Sequence, residues 1–256
     1  MFPTFLRKLH GIHSTIVFVV VVLLLFCPLL IAAPRLAQRR AIGRLAVRAW
    51  LWLSFIPFRV RGLEHLPEQP TVVICNHASY LDGILLTAAL PPHFTFFVQH
   101  GAADWPYIGL IIRRMGCCFV NRTSPREAAK ATKALIDRIK AGESFAIFPE
   151  GTFRAAPLLL PFQSGAFVIA ARANARVVPT VIRGSRSLLG EGRRLFSWAP
   201  ISIECFPAMQ ASNDSRAAAD TLSAMARAVM LANCGEADGG DPEPATAASL
   251  PIGNER

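Results

Sequence analysis

An unbroken run of 18 apolar or small residues, positions 16–33, constrains this chain more than any other feature. As a helix it would span roughly 27 Å, close to the bilayer hydrocarbon core of about 30 Å. A cleaved signal peptide is the alternative, because Arg7 and Lys8 precede the run. However, the run exceeds a usual signal-peptide core, and Arg35, Arg39, Arg40, Arg44 and Arg48 follow it at once. We therefore predict a short N-terminal segment at 1–13 and a retained membrane helix at 14–34.

The distribution of charge indicates where the rest of the chain lies. The formal net charge is +10, and residues 1–48 hold seven basic and no acidic side chains. A basic front end beside an apolar run indicates membrane lipids as partners rather than nucleic acid. Five basic residues after the run, against two before it, predict a cytoplasmic membrane with the C-terminal domain facing the cytoplasm. Because Pro28 allows a kinked helix, both a full span and a monotopic insertion stay open.

Residues 35–59 are typical of a basic amphipathic linker helix. Arg40, Arg44 and Arg48 fall on one stripe at helical spacing, separate from an apolar face formed by Ile42, Leu45, Ala49 and Trp52. We interpret this segment as a helix lying in the headgroup layer. The alternative is a helix packed on the core with a solvated basic face.

The remaining chain predicts the α/β class, a sheet flanked by helices, over residues 60–232. Short β-branched or aromatic runs predict strands at 71–75, 94–98, 117–120, 145–148, 177–182 and 201–206. Helical patterns occupy 83–90, a segment from a capping box at 124–127 to Gly142, and 215–232. The composition of 233–256 predicts a flexible tail. Six cysteines without a C-x-x-C pair, and the lack of any metal-binding motif, predict no metal.

A histidine and an aspartate follow the first of these buried strands in the segment Asn76-His77-Ala78-Ser79-Tyr80-Leu81-Asp82. Histidine is the side chain best suited to take a proton near neutral pH, and a carboxylate can orient it. Five residues along a helix turn about 500°, so mid-helix side chains would diverge. The pair can meet only if His77 lies in the loop and Asp82 in the first helical turn. By itself this spacing is also compatible with a simple capping arrangement.

Further polar residues follow later strands. Arg122 comes after 117–120, and Glu150, Gly151 and Thr152 come after 145–148. Ligand sites of α/β sheets cluster where the carboxyl ends of the strands meet the loops. His77, Arg122 and Glu150 at one sheet edge therefore indicate a catalytic site. No G-x-S-x-G, P-loop, H-E-x-x-H or dinucleotide motif is present, which argues against those enzyme classes.

With its His-x4-Asp and Phe-Pro-Glu-Gly-Thr blocks in order, the chain resembles the glycerolipid acyltransferases typified by 1-acylglycerol-3-phosphate acyltransferase from about residue 71 to 207. The resemblance implies that His77 is the general base and Asp82 its orienting partner. It implies that Arg122, Glu150, Gly151 and Thr152 bind a phosphorylated glycerol acceptor and that Pro179 belongs to the acyl-donor block. Further candidates are Asn76, Ser79 and Arg154. Backbone N–H groups near Ser79 are candidates to stabilise an oxyanion.

Elementary chemistry agrees with part of this assignment. A guanidinium grips phosphate in bidentate fashion, which suits Arg122, although a surface arginine is the alternative. Glu150 cannot bind phosphate itself, so it either orients Arg122 or a hydroxyl, or is a structural partner. Gly151 allows close backbone approach or a tight turn.

Two departures from the family pattern bear on the acceptor. Phe153 stands where the family usually has Arg, with Arg154 one position later, and Gln163 and Ser164 stand where it often has cations. We expect transfer of an acyl group from acyl-CoA or acyl carrier protein, a co-substrate rather than a cofactor, to lysophosphatidic acid. The alternatives are another acceptor, a lyso-ornithine lipid or a lysophospholipid, and an inactive membrane-anchored tether.

Overall fold

The computed structural model describes residues 4–68, 70–99, 105–120, 125–193 and 195–240. Its strands are β1 (Phe58–Arg61), β2 (Thr71–Cys75), β3 (Phe94–Gln99), β4 (Cys118–Val120), β5 (Ser144–Ile147), β6 (Leu158–Leu159), β7 (Arg176–Arg183), β8 (Ile201–Cys205) and β9 (Ala237–Asp238). Seven of them form one sheet in the order β1-β8-β7-β2-β5-β3-β4, and β6 pairs with β9. Strands β7, β2, β5, β3 and β4 are parallel, so their carboxyl ends meet at one edge.

Helices cover both faces of this sheet. They are α1 (Thr4–Val17), α2 (Cys27–Ala32), α3 (Leu36–Leu53), α4 (Asp82–Ala89), α5 (Pro106–Arg114), α6 (Pro125–Lys140), α7 (Gly165–Arg172), α8 (Ser185–Leu189) and α9 (Arg216–Cys234). One core lies between the sheet and α3 and α4, and a second lies between the sheet and α6, α7 and α9. Strand β2 is buried at every position, as expected for a central parallel strand covered on both faces. The α/β class is confirmed.

The N-terminal helix begins earlier than predicted. It runs as α1, a π-helical segment at Phe18–Phe26 and α2, and residues Phe5–Ala32 are long and apolar enough to cross a membrane. The π segment ends just before Pro28, whose ring would clash with the carbonyl of a regular helical turn. One face packs on the protein through buried Val22, Cys27 and Leu30. Only 17% of an apolar 18-residue stretch of this helix is buried.

The predicted orientation of the basic stripe on α3 is wrong, because the arginines face the protein. Arg40 is 8% exposed and donates to the carbonyl oxygens of His93 (3.0 Å) and Met115 (3.0 Å). Arg44 donates to the carbonyl of Leu90 (3.1 Å), and Arg48 to that of Ala88 (2.9 Å), at the C-terminus of α4. Helix C-terminal carbonyls lack partners within the helix and attract cations, which explains the inward orientation. The helix also ends earlier than the predicted 59, since α3 stops at Leu53 and β1 begins at Phe58.

The described start of the predicted flexible tail is ordered. Helix α9 continues to Cys234 and ends at Gly235, which has a positive φ of 74°. Residues 237–238 then pair as β9 with β6. This pairing was not predicted, because a two-residue strand has no periodicity. Nor were β1, α5, α7 and α8, which are short or lack strong boundary signals, whereas all six predicted strands are present within one or two residues of their expected bounds.

Candidate active site

The carboxyl end of β2 delivers His77 to the sheet edge. Just before it, the Asn76 side chain is 1% exposed and extends the pairing of β2 with β7. Its amide nitrogen donates to the Ile182 carbonyl (3.0 Å), and its amide oxygen accepts from the Ile182 N–H (2.8 Å). Asn76 thereby holds the start of the loop in place, so its contacts are those of a positioning residue.

His77 and Asp82 meet in the geometry that their spacing requires. His77 lies in the loop, Asp82 is the first residue of α4, and His77 Nδ1 is 2.8 Å from Asp82 Oδ2. Because a carboxylate can only accept, Nδ1 carries the proton and Nε2 has a free lone pair. The imidazole is 21% exposed and the carboxylate is fully buried. The arrangement presents one basic nitrogen to a substrate and shields the group that orients it.

Asp82 also organises the loop around the base. Its Oδ2 atom accepts from the N–H groups of Ala78 (2.6 Å) and Ser79 (2.8 Å). These two N–H groups are therefore not available to an oxyanion, contrary to the expectation for backbone donors near Ser79, because the carboxylate already accepts from them. The Ser79 hydroxyl is engaged as well, since it donates to the Leu189 carbonyl (2.5 Å) and accepts from the Leu81 N–H (3.1 Å).

Aromatic rings surround the imidazole. Phe148 stacks on His77 with ring centroids 4.4 Å apart at 19°, and Phe153 meets it edge-on at 4.7 Å. Phe153 also contacts Tyr80 edge-on at 4.7 Å, and Tyr80 is 65% exposed. Neither phenylalanine ring can form a hydrogen bond with the imidazole. Asp82 is therefore its hydrogen-bonding partner on the protein side, and Nε2 is left for a substrate. Phe148 was missed from the sequence, while Phe153 was noted only as a departure from the family pattern.

Glu150 is buried and faces the protein backbone rather than a substrate. It is 4% exposed; its Oε1 accepts from the His77 N–H (2.6 Å) and its Oε2 from the Leu160 N–H (2.7 Å). Burial raises the pKa of its carboxyl to about 7. Both oxygens bind backbone, so the structural alternative fits Glu150 better than direct substrate binding. Gly151 follows with a positive φ of 72°, which fits the turn interpretation.

The other predicted residues divide between the site and its surroundings. Thr152 and Arg154 are exposed on the loop after Gly151. Pro179 does not reach the edge: it is buried inside β7 in register with Ile74, so direct contact with an acyl donor is not supported. Arg122 lies outside the described residues, two positions after the end of β4. Among the described residues, no group of three or more His, Cys, Asp and Glu side chains is arranged to hold a metal.

Comparisons with known proteins identify relatives of this chain. Residues 57–183, which include His77, Asp82 and Glu150, match the Acyltransferase family. The chloroplastic 1-acyl-sn-glycerol-3-phosphate acyltransferase BAT2 of Brassica napus is 33% identical over 60% of this chain and 46% of that protein. The chloroplastic 1-acyl-sn-glycerol-3-phosphate acyltransferase LPAT1 of Arabidopsis thaliana is 31% identical over 71% of this chain and 51% of that protein. The chain thus spans about half the length of these relatives.

A human relative and a solved structure extend the comparison. The 1-acyl-sn-glycerol-3-phosphate acyltransferase beta of Homo sapiens is 28% identical over 75% of this chain and 73% of that protein. The crystal structure of PlsC, the 1-acyl-sn-glycerophosphate acyltransferase of Thermotoga maritima, has a TM-score of 0.64 and 21% identity, and covers 87% of this chain and 97% of that one. At that identity the likeness establishes the fold. Through residues 57–183 the chain belongs to the Acyltransferase family, and it resembles the 1-acyl-sn-glycerol-3-phosphate acyltransferases among these relatives.

Proposed function

We propose that this protein transfers a fatty acyl group from an acyl thioester to the free hydroxyl of lysophosphatidic acid, forming phosphatidic acid. The observation that carries the proposal is the 2.8 Å contact between His77 and a fully buried Asp82 at the carboxyl end of β2. The names of the sequence relatives supply the substrate class.

The chemistry follows from the free Nε2 atom of His77. Nε2 takes the proton of the acceptor hydroxyl as its oxygen attacks the thioester carbonyl. The carbonyl π electrons move to oxygen, giving a tetrahedral oxyanion, and Asp82 stabilises the imidazolium. When the oxyanion collapses, the C–S bond breaks and the thiol leaves with the proton from the imidazolium. The ester is the product, His77 returns to its neutral form, and no covalent enzyme intermediate or cofactor is required. Acyl-CoA and acyl carrier protein supply the same thioester.

We place the acceptor beside the loop after β5. Arg122, whose planar fork suits phosphate, follows β4 by two positions in the sequence and is assigned to the acceptor by the family resemblance. Thr152 and Arg154 are exposed on the 151–160 loop, near the His77 ring through Phe153. A less anionic lysolipid, a lyso-ornithine lipid or a zwitterionic lysophospholipid, is the second candidate acceptor. It is favoured by Phe153, since an aromatic ring occupies the space next to the base where the family usually has a cation.

Membrane attachment fits an acceptor that resides in a bilayer. The N-terminal helix exposes Phe5, Ile16 and Leu24, and α3 exposes Leu45 and Trp52. The helix is tied to the domain near both ends: His10 Nε2 bonds the Ser54 carbonyl (2.7 Å), and Arg114 donates to the Ala33 carbonyl (3.1 Å). A helix held along the protein in this way favours monotopic insertion from the cytoplasmic side over a full span.

Acyl transfer by membranes containing the protein tests the proposal. A labelled acyl group would be supplied as its thioester with CoA and, in parallel, as its thioester with acyl carrier protein. The acceptors would be lysophosphatidic acid, lysophosphatidylcholine, lysophosphatidylethanolamine and lyso-ornithine lipid. We expect phosphatidic acid from wild type and none above background from His77→Ala. Product from another lysolipid alone would retain the chemistry and replace the acceptor. No product from any combination of donor and acceptor would support the tether instead.

A further inference from the structure

The described start of the C-terminal tail lies against the loop that follows Glu150. We define residues 236–239 as the C-terminal strap and residues 151–160 as the Glu150 loop. The two run parallel through β9 and β6, with the Ala237 N–H donating to the Pro157 carbonyl (3.0 Å) and the Gly239 N–H to the Leu159 carbonyl (3.0 Å). A Cβ on Gly239 would lie 2.8 Å from the Leu159 carbonyl oxygen. Glycine is therefore required for this close approach.

An ion pair joins the strap to the same loop from a second direction. Glu236 Oε1 lies 2.8 Å from Arg186 Nε on α8, with the two side chains 11% and 18% exposed. Through Nη1, Arg186 also donates to the carbonyl oxygens of Arg154 and Ala155 (3.2 Å to the latter). A pair this buried gives little net stability, yet removing one partner leaves the other charge uncompensated. It therefore fixes the position of the loop backbone more than it stabilises the fold.

A third connection runs from α9. Arg227 binds the Asp238 carboxylate in bidentate fashion, with Nη2 2.5 Å from Oδ1 and Nη1 3.2 Å from Oδ2. The same guanidinium donates to the Leu159 carbonyl (3.2 Å). The strap and the Glu150 loop are thus held both to each other and to α9.

The end of the loop leads to the catalytic base. Leu160, directly after β6, donates its N–H to Glu150, and Glu150 in turn accepts from the His77 N–H. Displacing β6 would move the Leu160 N–H and with it one of the two contacts that hold the carboxylate. A misplacement of about 1 Å in a catalytic site can lower the rate on the order of a hundredfold.

From these contacts we infer that Glu236 is a positioning residue for the acceptor site, and that the C-terminal strap holds the Glu150 loop in the conformation that binds the acceptor. The inference rests on the proposed function in that the loop carries Thr152 and Arg154, which we place beside the acceptor. The strap makes no contact with the reacting atoms in the described part of the chain; its effect passes through Arg186, β6 and Glu150.

Kinetics of full-length Glu236→Gln test this role against a matched control. The control is Asp220→Asn, which breaks the exposed Arg216–Asp220 pair on α9 (67% and 53% exposed). Initial rates would be measured with the acceptor varied at saturating acyl donor, and with the donor varied at saturating acceptor. We expect Glu236→Gln to lower kcat/KM for the acceptor on the order of tenfold while the KM for the donor stays near wild type. Asp220→Asn should match wild type in both series.

Hydrogen exchange gives a readout that needs no turnover. Peptides containing the His77 and Leu160 amides should exchange faster in Glu236→Gln than in wild type or Asp220→Asn. If wild type transfers no acyl group, the proposed function fails while this measurement still tests the strap. Gly239→Ala, which displaces the strap without removing a charge, should accelerate the same amides and replaces Glu236→Gln if that variant does not fold. Unchanged exchange, or an unchanged KM for the acceptor, would overturn the inference.

Discussion

The two ends of α4 hold charged side chains for different purposes. At its N-terminus, Asp82 gathers the His77 ring and two backbone N–H groups, and His77 Nε2 has a free lone pair. At its C-terminus, the α3 arginines Arg44 and Arg48 bind the last carbonyls. Both ends follow the helix dipole, which favours an anion at the N-terminus and cations at the C-terminus. One end of this helix thus holds the pair that we propose as catalytic base and orienting partner, while the other end attaches the N-terminal helices to the domain.

The largest effect should come from breaking the N-terminal end. We expect Asp82→Asn to lower kcat on the order of 10³-fold or more, because an amide does not hold the Nδ1–H tautomer or stabilise the imidazolium. His77→Ala should lose at least as much, since a general base contributes roughly 10²–10⁴-fold. Initial rates in membranes measure both losses, with circular dichroism as the check on folding. A rate within tenfold of wild type for either variant would rule out the base assignment.

Substitution of the α3 arginines should lower the stability of the fold rather than the rate of the chemistry. Arg40→Met removes a buried guanidinium bound to the carbonyls of His93 and Met115 and to Thr95 Oγ1. Leaving those acceptors unsatisfied should lower the free energy of unfolding by about 3 kcal/mol. Thermal unfolding in detergent measures this loss, and kcat per folded enzyme should change little. A fall in kcat like that of Asp82→Asn would show that the two ends are not separable.

The pH dependence of stability should reflect the titration of Glu150, which contacts the loop before the N-terminus of α4. Burial raises its pKa from 4.5 to about 7, so between these values the folded state holds a proton that the unfolded chain has lost. Stability from this group is therefore greatest below pH 4.5 and falls as pH rises through about 7, by up to about 3 kcal/mol. The difference between wild type and Glu150→Gln, measured by denaturant unfolding at each pH, should carry this slope. A difference that is constant with pH would contradict the burial argument.

A smaller effect is expected at the C-terminal carbonyls themselves. Arg44→Gln weakens contacts to Leu90 and Ala89 from a partly exposed side chain. The loss should be about 1 kcal/mol, typical of a cation at a helix C-terminus. Thermal unfolding of Arg44→Gln and Arg40→Met, measured side by side, would compare the stability that each arginine contributes. Equal losses of unfolding free energy would mean that burial does not determine the strength of these contacts.

The smallest expected effect concerns acceptor choice beside the base. Phe153→Arg places a cation next to His77, where the ring now packs. We expect the KM for lysophosphatidic acid to fall a few-fold relative to zwitterionic lysolipids, with a lower kcat because a nearby cation disfavours the imidazolium. Phe153→Leu, which adds no charge, is the control. If both variants show the same acceptor preference, the charge at this position does not select the acceptor.

Much of this protein could be predicted from local sequence patterns. The buried run of β2, the helical pattern of α6 and the apolar N-terminal helix depend on residues close in sequence, and the structure contains all three elements. The spacing of His77 and Asp82 allows the two side chains to meet only at a loop-to-helix junction, and they meet at such a junction in the structure. The resemblance added the family, which the comparisons bear out.

Only the tertiary structure decided which partners distant groups would have. Sequence spacing places Arg40, Arg44 and Arg48 on one stripe, but cannot show that unsatisfied carbonyls of another helix lie opposite them. It likewise could not show that Asp82 occupies the N–H groups near Ser79, or that Glu236 reaches Arg186 from a segment that reads as a flexible tail. Periodicity reports which side of an element is apolar. Hydrogen-bond partners are set by which chain ends the fold brings together, and buried polar groups must find them wherever they lie.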